Sequence, residues 1–419
     1  MNRPTYVSTL LRPMAVAAFL CGIAPCVALA DAVTDWNAAL ESSLAFPSER
    51  GPAAPARTYA ILHAAMFDAV NGIARKYEPL HVTDAAPPGA RAEAAAIQAA
   101  YSVLSSLRPG SQAIWDAQLA ASLAALPGSE GNSTSIARGR EWGMAVASAI
   151  LAWRTGDIGT VPGTVPGPTT IGWWLFTPEA RPFAGRPNLV TVPFLVADPT
   201  AFDPGPPYGL ANRTDVLASA AYAADLNEVF ARGGTTSAVR TPQDEFMALF
   251  INACDQATLN RMLRENLSPG SQLVENARLF ALFNVAFFDT AIVLFKSKYV
   301  HQFWRPYQAI GYAGLAINPT FQWSLRPTPP HPEYPSAHVT LFTALVQVAA
   351  RIIGERPVAL YAPGYADPVG FPSMAAVADA NVQARVDIGF HFRETGEVSQ
   401  VVGRAIADYL VEECLTPAH

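Results

Sequence analysis

Cysteine and charged residues are both scarce in this sequence, and each scarcity excludes a class of protein. Only 4 of the 419 residues are cysteine, which excludes a small scaffold held together by disulfides. Charged residues make up 15% and hydrophobic residues 51%, which excludes a disordered chain because so apolar a sequence can bury a large core. The net charge of −6, without a long basic run, argues against a nucleic-acid partner.

Residues 1–30 have the pattern of a secretory signal peptide. The start is positively charged, residues 14–24 are apolar, and Ala28-Leu29-Ala30 is a cleavage site of the A-x-A type. A retained membrane anchor is the alternative, but proline and glycine interrupt the apolar run and leave it too short to span a bilayer. We therefore predict cleavage before Asp31 and a secreted or periplasmic mature protein without a membrane span.

Helical periodicity dominates the rest of the chain. Apolar residues form one helical stripe over 59–75, and further helical patterns follow at 90–107, 111–126 and 134–154. On the first of these helices His63 and Asp68 are interpreted as structural, because no partner lies near them in sequence. Residues 279–295 are almost continuously apolar, but they include Asn and Asp, which favours a buried core helix over a membrane span.

Proline divides the chain into regions. Residues 158–208 hold 11 of the 36 prolines and cannot form an α-helix, so we expect a long ordered loop that wraps the helices. The sequence thus predicts an all-α fold of helical bundles around a central oxyanion pocket, with a long Pro-rich irregular loop. Its regions would be an N-terminal helical region at 31–157, the loop at 158–214 and a C-terminal bundle at 215–419 that carries the site.

Polar residues concentrate in three short segments of the C-terminal half. Lys298 and Arg305 are seven residues apart, which predicts that they share one helix face before Pro306 ends the helix. Two cations about 6 Å apart repel each other by roughly 3 kcal/mol at an effective dielectric of about 20. Such a pair is therefore costly inside a protein unless an anion lies between its members.

The other two segments supply the remaining parts of an anion site. Ser336 is a natural N-cap for the apolar helix that follows, so the free N–H groups of that helix and its positive end could bind an anion, with His338 in the first turn. Arg385 and His391 are six apart and could converge only if the backbone leaves the helix, which Gly389 permits. Singly, each group could be structural; jointly they predict an oxyanion site.

Order and spacing together resemble a known three-part signature. Lys298-x6-Arg305-Pro306, Pro335-Ser336-Ala337-His338 and Arg385-x5-His391 are similar to the motifs of the vanadium-dependent haloperoxidases and the type 2 phosphatidic acid phosphatases, which share one oxyanion pocket. Stretches at 61–71, 222–229 and 283–306 look like secreted bacterial members of the haloperoxidase branch. The resemblance implies vanadate as the cofactor, with Lys298, Arg305, Arg385, the Ser336 hydroxyl and the Ala337 N–H as its hydrogen-bond donors.

The resemblance also implies roles for three histidines. His391 would bind vanadium through an imidazole nitrogen, and His338 would be the acid–base residue that helps peroxide to bind. His331 falls where haloperoxidases place a residue associated with halide preference, and a histidine there looks like the bromide-oxidising members; a loop histidine held by prolines is the alternative. In a phosphatase, His391 would instead attack phosphorus and His338 would protonate the leaving group.

Two departures from the family pattern bear on activity. Ala337 replaces the usual glycine and requires a negative φ, because its methyl group faces the pocket. Thr395 replaces the Asp usually found four residues after the last histidine, so the carboxylate that would orient His391 must come from elsewhere or be absent. Asp387 and Glu394 are the nearby candidates.

Three functions remain open at this point. The favoured one is a haloperoxidase that oxidises halide, preferably bromide, with hydrogen peroxide to hypohalous acid, which acts on a small organic acceptor. The alternatives are a secreted acid phosphatase that uses the same pocket, and a non-catalytic oxyanion-binding relative. The sequence leaves open whether Cys254 and Cys414 pair and whether the protein is a homo-oligomer.

Overall fold

The computed structural model describes residues 31–44, 54–126, 133–159, 170–175, 186–311 and 323–418. The predicted signal peptide therefore lies outside the described residues. The fold is all-α, as predicted. Its helices are α1 Ala32–Ser43, α2 Ala54–Ala74, α3 Ala92–Leu107, α4 Gln112–Ala124, α5 Ser133–Trp153, α6 Arg213–Ala218, α7 Ala220–Arg232, α8 Pro242–Ala253, α9 Gln256–Glu265, α10 Leu273–His301, α11 Pro306–Gly311, α12 Ala337–Ile353, α13 Met374–Asp387 and α14 Arg393–Glu413.

The strands of the described residues form a single small hairpin. β1 Val358–Leu360 pairs antiparallel with β2 Val369–Phe371, so that Val358 lies opposite Phe371 and Leu360 opposite Val369. The hairpin connects α12 to α13. It is too short to form a layer of its own, and the architecture rests on helix packing.

Helix α10 lies at the centre of the core. Every residue from 279 to 295 is buried, and the helix packs against α2, α12 and α14. Its length and composition would allow it to cross a membrane, and it is the one such helix among the described residues; 94% of its most apolar window is buried inside the protein. The sequence prediction of a buried core helix is thus confirmed.

Buried aspartates attach loops to the core helices. Asp289 of α10 accepts hydrogen bonds from the backbone N–H groups of Phe194, Leu195 and Val196 at 2.8, 2.7 and 2.9 Å. This contact fixes part of the Pro-rich region, whose described residues form three short 3₁₀ turns before α6. Asp68 of α2 holds residues 80–82 in the same way.

His63 is also structural, as predicted. It is fully buried in α2, and its Nε2 lies 2.8 Å from the side-chain nitrogen of Asn37 on α1. Burial lowers its pKa from 6.5 to about 3. The ring is therefore neutral in the folded protein and serves to join α1 and α2.

The first polar motif does not lie on one helix. Helix α10 ends at His301, Gln302 adopts a left-handed conformation with φ 45°, and Arg305 follows in the loop before α11. The predicted shared helix face is therefore wrong, and Pro306 begins α11 instead of ending α10. Lys298 and Arg305 still come together, because the chain reverses after Gln302. The positive charge of Arg305 contributes to lowering the pKa of Lys298.

Candidate active site

A cavity of about 560 Å³ opens beside the three polar motifs. Its wall is mainly apolar, and five of the predicted site residues line it: His331, Ala337, His338, Arg385 and His391. Lys298, Arg305 and Ser336 lie behind this wall and are fully buried. The remaining wall is formed largely by aromatic residues and prolines, namely Phe287, Phe295, Phe342, Phe390, Pro327, Pro329, Pro330 and Pro363.

Lys298 holds the loop that precedes α12. Its ammonium donates hydrogen bonds to the backbone oxygens of Pro332 at 2.8 Å and Glu333 at 3.0 Å, and also to that of Pro335. These three contacts use all three N–H groups of the ammonium. Burial is the main cause that lowers its pKa. The structure thus places Lys298 as an organiser of the motif around Ser336.

Arg305 links the other two motifs. Its Nε donates to the backbone oxygen of His331 at 3.1 Å, and one terminal nitrogen donates to the backbone oxygen of Phe390 at 3.0 Å. The same terminal nitrogen lies 3.1 Å from Nε2 of His391, and the other lies 3.0 Å from Nδ1 of His331. A single buried guanidinium therefore contacts both histidines that line this side of the cavity.

Ser336 is the N-cap residue of α12, as predicted, but its side chain makes no capping hydrogen bond. Its hydroxyl oxygen is buried without a hydrogen-bond partner among the described residues, while its backbone N–H donates to the hydroxyl of Ser399 at 2.8 Å. Ala337 begins the helix and is not among the residues with positive φ, so its methyl group is tolerated. A free hydroxyl and a helix N-terminus therefore lie together at this end of the site.

Arg385 is a buried cation with few partners. It is 3% exposed, and one terminal nitrogen donates to the side-chain oxygen of Asn252 at 3.1 Å. Its Nε and its other terminal nitrogen are buried without a hydrogen-bond partner. Burial, followed by repulsion from Arg305, lowers its pKa from 12.5 to about 9. Two unpartnered nitrogens on a fully buried cation indicate that an anion could bind here.

Arg385 and His391 converge as predicted. Helix α13 ends at Asp387, and Gly389 takes φ 82°, with the backbone oxygen of Gly233 so close that a side chain there would collide with it. The N–H groups of Phe390 and His391 both donate to the backbone oxygen of Arg385, at 3.0 and 3.3 Å. This tight turn brings the arginine and the histidine to one side of the cavity.

His391 has a defined orientation. Its Nδ1 lies 2.8 Å from Oε1 of Glu333, and its Nε2 faces Arg305. Burial is the main cause that lowers its pKa well below 6.5, and the nearby cations lower it further. The ring is therefore neutral, and because the guanidinium of Arg305 can only donate, Nε2 is the unprotonated nitrogen, the state that a metal ligand or a nucleophile requires.

Glu333 is the functional residue that sequence reasoning missed. It is fully buried, and the predicted substitutes are engaged elsewhere: Asp387 pairs with Arg232 at 2.5 Å, and Glu394 accepts from the N–H of Tyr208 at 3.0 Å. The threonine at position 395 is the one signal in the sequence, because it implies that a carboxylate comes from elsewhere or is absent. That carboxylate comes from a loop 58 residues away in sequence.

His338 lies in the first turn of α12, as predicted. Its ring stacks on Phe342 with centroids 4.2 Å apart, Nδ1 lies 2.9 Å from the side-chain nitrogen of Asn381, and Nε2 lies 3.3 Å from the backbone oxygen of Cys254. Burial and then the charge of Arg385 lower its pKa to about 3. His338 is therefore neutral and faces Arg385 across the cavity wall.

His331 and the cysteines complete the description of the site. The ring of His331 packs edge-on against Phe295 with centroids 5.3 Å apart, so a cavity residue also contacts α10.

Cys254 and Cys414 are both free, and Cys254 is buried at the cavity wall. The two thiols do not form a disulfide in the described structure.

Comparisons with known proteins agree with this fold. Residues 278–417, about a third of the chain, match the family model described as the VCPO second helical-bundle domain. The first bacterial vanadium-dependent iodoperoxidase is similar in structure, with a TM-score of 0.70 and 19% identity over 93% of this chain and 96% of that one. Bacterial vanadium-dependent chloroperoxidases are similar too, with 16% identity.

For the chloroperoxidases, the TM-score is 0.65 for the apo form, over 87% of this chain and 94% of that one, and 0.66 for the holo form, over 91% and 96%. None of the curated proteins compared with this chain matches it significantly. The chain therefore has the all-α fold of the vanadium-dependent haloperoxidases. Its C-terminal part matches the VCPO second helical-bundle domain, in agreement with the resemblance seen in the three motifs.

Proposed function

We propose that this protein is a vanadate-dependent haloperoxidase. The observation that carries the proposal is a set of buried donors without a partner in the described structure: two nitrogens of Arg385, which lines the same cavity as His391, and the hydroxyl of Ser336 at the N-cap of α12. These three donors, with the unprotonated imidazole nitrogen of His391 and a helix N-terminus, fit an oxyanion that also takes a nitrogen ligand. Vanadate meets that description.

The residues of this chain would divide the work as follows. Arg385, Ser336 and the N–H of Ala337 would donate hydrogen bonds to the anion, His391 would bind it through Nε2, and Arg305 would orient His391 while balancing charge. When bound, vanadate supplies the Lewis acid that activates hydrogen peroxide for halide oxidation. Lys298 would act indirectly, by holding the loop that presents Ser336.

His338 would move the proton. Its pKa is low in part because Arg385 is close, so an anion bound to Arg385 would offset that positive charge and raise the pKa of the imidazole. His338 would then be able to accept a proton from incoming peroxide and return it later. Asn381 orients its ring through Nδ1.

The cavity would receive the other reactants. We propose that His331 favours bromide, because its ring lines the cavity and contacts Arg305 and Phe295 there. The cavity of about 560 Å³ exceeds what an oxyanion fills, and its apolar wall suits a small organic acceptor. We also propose export with cleavage before Asp31, on the basis of the N-terminal pattern alone.

The test compares two activities of one preparation. The purified protein is stripped of oxyanions and assayed for bromination with hydrogen peroxide, with and without orthovanadate, alongside hydrolysis of p-nitrophenyl phosphate. We expect vanadate to restore bromination, and His391→Ala to abolish it. Hydrolysis that vanadate inhibits, without bromination, would instead identify an acid phosphatase. Oxyanion binding without either activity would identify a non-catalytic relative.

A further inference from the structure

We propose that Glu333 is the positioning residue that fixes the ring of His391. Glu333 lies in the loop before α12, whereas Thr395 lies in α14. The inference builds on the proposed oxyanion site, since it concerns the nitrogen that would bind the anion. It starts from one contact: Nδ1 of His391 lies 2.8 Å from Oε1 of Glu333, between two side chains that are almost fully buried.

The hydrogen bonds on both sides of the ring define one tautomer. A terminal nitrogen of Arg305 can only donate, so Nε2 of His391, 3.1 Å away, must accept. Nδ1 therefore carries the proton and donates a hydrogen bond to Oε1 of Glu333. Without an acceptor beside Nδ1, only the hydrogen bond from Arg305 to Nε2 would hold this tautomer. A free imidazole in water has no strong preference for carrying its proton on either nitrogen. Glu333 thus keeps Nε2 unprotonated and directed toward Arg305, in a residue that lines the cavity.

Glu333 also positions the backbone that carries His391. Its Oε1 accepts from the N–H of Phe392 at 3.1 Å, and its Oε2 accepts from the hydroxyl of Thr395 at 2.9 Å. All three donors therefore come from one short segment that starts at His391 and enters α14. The loop of Glu333 is itself anchored: its N–H donates to the backbone oxygen of Phe303 at 2.9 Å, and its own backbone oxygen accepts from Lys298.

A buried carboxylate with a purely structural role would not need three hydrogen bonds from the segment that carries His391. Burial raises the pKa of Glu333 from 4.5 to about 8, although the charges of Arg305 and Lys298 and the hydrogen bonds from Thr395 and Phe392 act in the other direction. Burying this group is therefore costly, and only well-placed donors offset the cost. Here one of those donors is the histidine that would hold the anion, and Thr395, whose hydroxyl supports the second oxygen, contributes from the first turn of α14. Glu333 and Thr395 thus act on His391 together. Glu333, in the loop before α12, supplies the carboxyl group, and Thr395 supports it from α14.

The experiment reads the tautomer directly. The full chain is labelled with ¹⁵N-histidine and studied without vanadate, and the His391 signals are assigned by their loss in His391→Gln. We expect the wild type to show protonated Nδ1 and bare Nε2, with a strongly deshielded Nδ1 proton. Glu333→Ala should weaken this preference, because only Arg305 still holds the tautomer, and should weaken vanadate binding about 10- to 100-fold. Glu333→Gln should keep the tautomer, because its amide oxygen still accepts, but should shift the Nδ1 proton upfield.

Two controls separate positioning from folding. Thr395→Val leaves the carboxylate in place and should keep the tautomer, with less than a tenfold change in vanadate affinity. Asp68→Asn alters a buried carboxylate with three backbone donors on α2, and should lower Tm without moving the His391 signals. Should Glu333→Ala not fold, Glu333→Gln still decides, through the Nδ1 proton shift and the affinity.

The proposal is overturned if Glu333→Gln leaves the Nδ1 proton shift unchanged, or if Glu333→Ala lowers Tm while tautomer and affinity stay as in the wild type. It is also overturned if the wild type carries its proton on Nε2. A wild type with the expected tautomer that binds no vanadate supports the role of Glu333 and counts against the proposed function instead. The two ideas therefore fail separately.

Discussion

The ammonium of Lys298 donates a hydrogen bond of 2.8 Å to the backbone oxygen of Pro332. Two further donations, to the backbone oxygens of Glu333 and Pro335, leave this buried cation without a free N–H. Lys298 therefore stabilises a loop and does not itself reach into the cavity. The cation that family spacing places among the direct anion contacts thus donates all three of its N–H groups to the loop before α12.

Replacing Lys298 should accordingly damage folding first. In Lys298→Met three buried carbonyl oxygens lose their donor, so we expect unfolding to become easier by roughly 3 kcal/mol or more. Vanadate affinity should fall as well, because the loop that carries Ser336 is released. Urea unfolding and vanadate titration measure the two effects. Lys296→Met, two residues earlier and only half-buried, should change stability by less than about 1 kcal/mol. Wild-type stability in Lys298→Met with lost affinity would show direct anion contact instead.

Arg385 should behave in the opposite way. Two of its buried nitrogens have no partner, so Arg385→Met removes an uncompensated cation and should leave the anion-free protein as stable as the wild type, or more stable. Vanadate affinity should fall at least tenfold. Saturating vanadate, at about 100 times its Kd, should stabilise the wild type by about 2.7 kcal/mol and the variant far less. Loss of stability by the anion-free variant would contradict this assignment.

The helices and the convergence of the three motifs could be predicted because they depend on local patterns and on fixed spacing. The role of Lys298 could not, since its acceptors are backbone oxygens 34 to 37 residues away that leave no trace in composition. The prediction that Arg305 shares a helix face with Lys298 was wrong because the end of α10 also leaves no clear signal in the sequence. The left-handed residue that ends α10 is Gln302, where the sequence offers neither glycine nor proline as a stop.

Glu333 shows a different kind of failure. The replacement of Asp by Thr395 implied that the carboxylate comes from elsewhere or is absent, and the candidates near it in sequence are Asp387 and Glu394. Asp387 turned out to pair with Arg232, and the carboxylate that reaches His391 comes from a loop brought close by tertiary structure. Sequence could reveal the need for this group, whereas only the packing of the loop against α14 could identify it.

Asp289 should matter for stability and not for the site. Asp289→Asn keeps one oxygen but turns an amide NH2 toward backbone N–H groups of residues 194–196, so at least one buried donor loses its acceptor. We expect a loss of roughly 2 kcal/mol in the free energy of unfolding and unchanged vanadate affinity. Asp198→Asn is the matched control, because Asp198 caps an exposed turn and asparagine caps equally well. Equal losses in the two variants would contradict the argument.

Glu394 should make the protein less stable as pH rises. Burial is the largest cause that raises its pKa from 4.5 to about 7; Asp225 and Glu397 raise it further, and the N–H of Tyr208 lowers it. The folded state therefore holds this proton more tightly than the unfolded state. Its stabilising contribution is complete below pH 4.5 and is lost as pH rises from there to about 7.

Glu394→Gln should remove this dependence. The amide resembles the protonated acid and does not titrate, so the variant should gain stability relative to the wild type as pH rises through that window, with a constant advantage above about pH 7. Urea unfolding at intervals from pH 4.5 to 8 measures the difference. Glu397→Gln, at an exposed position one turn further along α14, should keep a slope close to that of the wild type. If Glu394→Gln is less stable than the wild type at pH 8, the carboxylate is ionised and well paired in the folded protein, and the raised pKa is wrong.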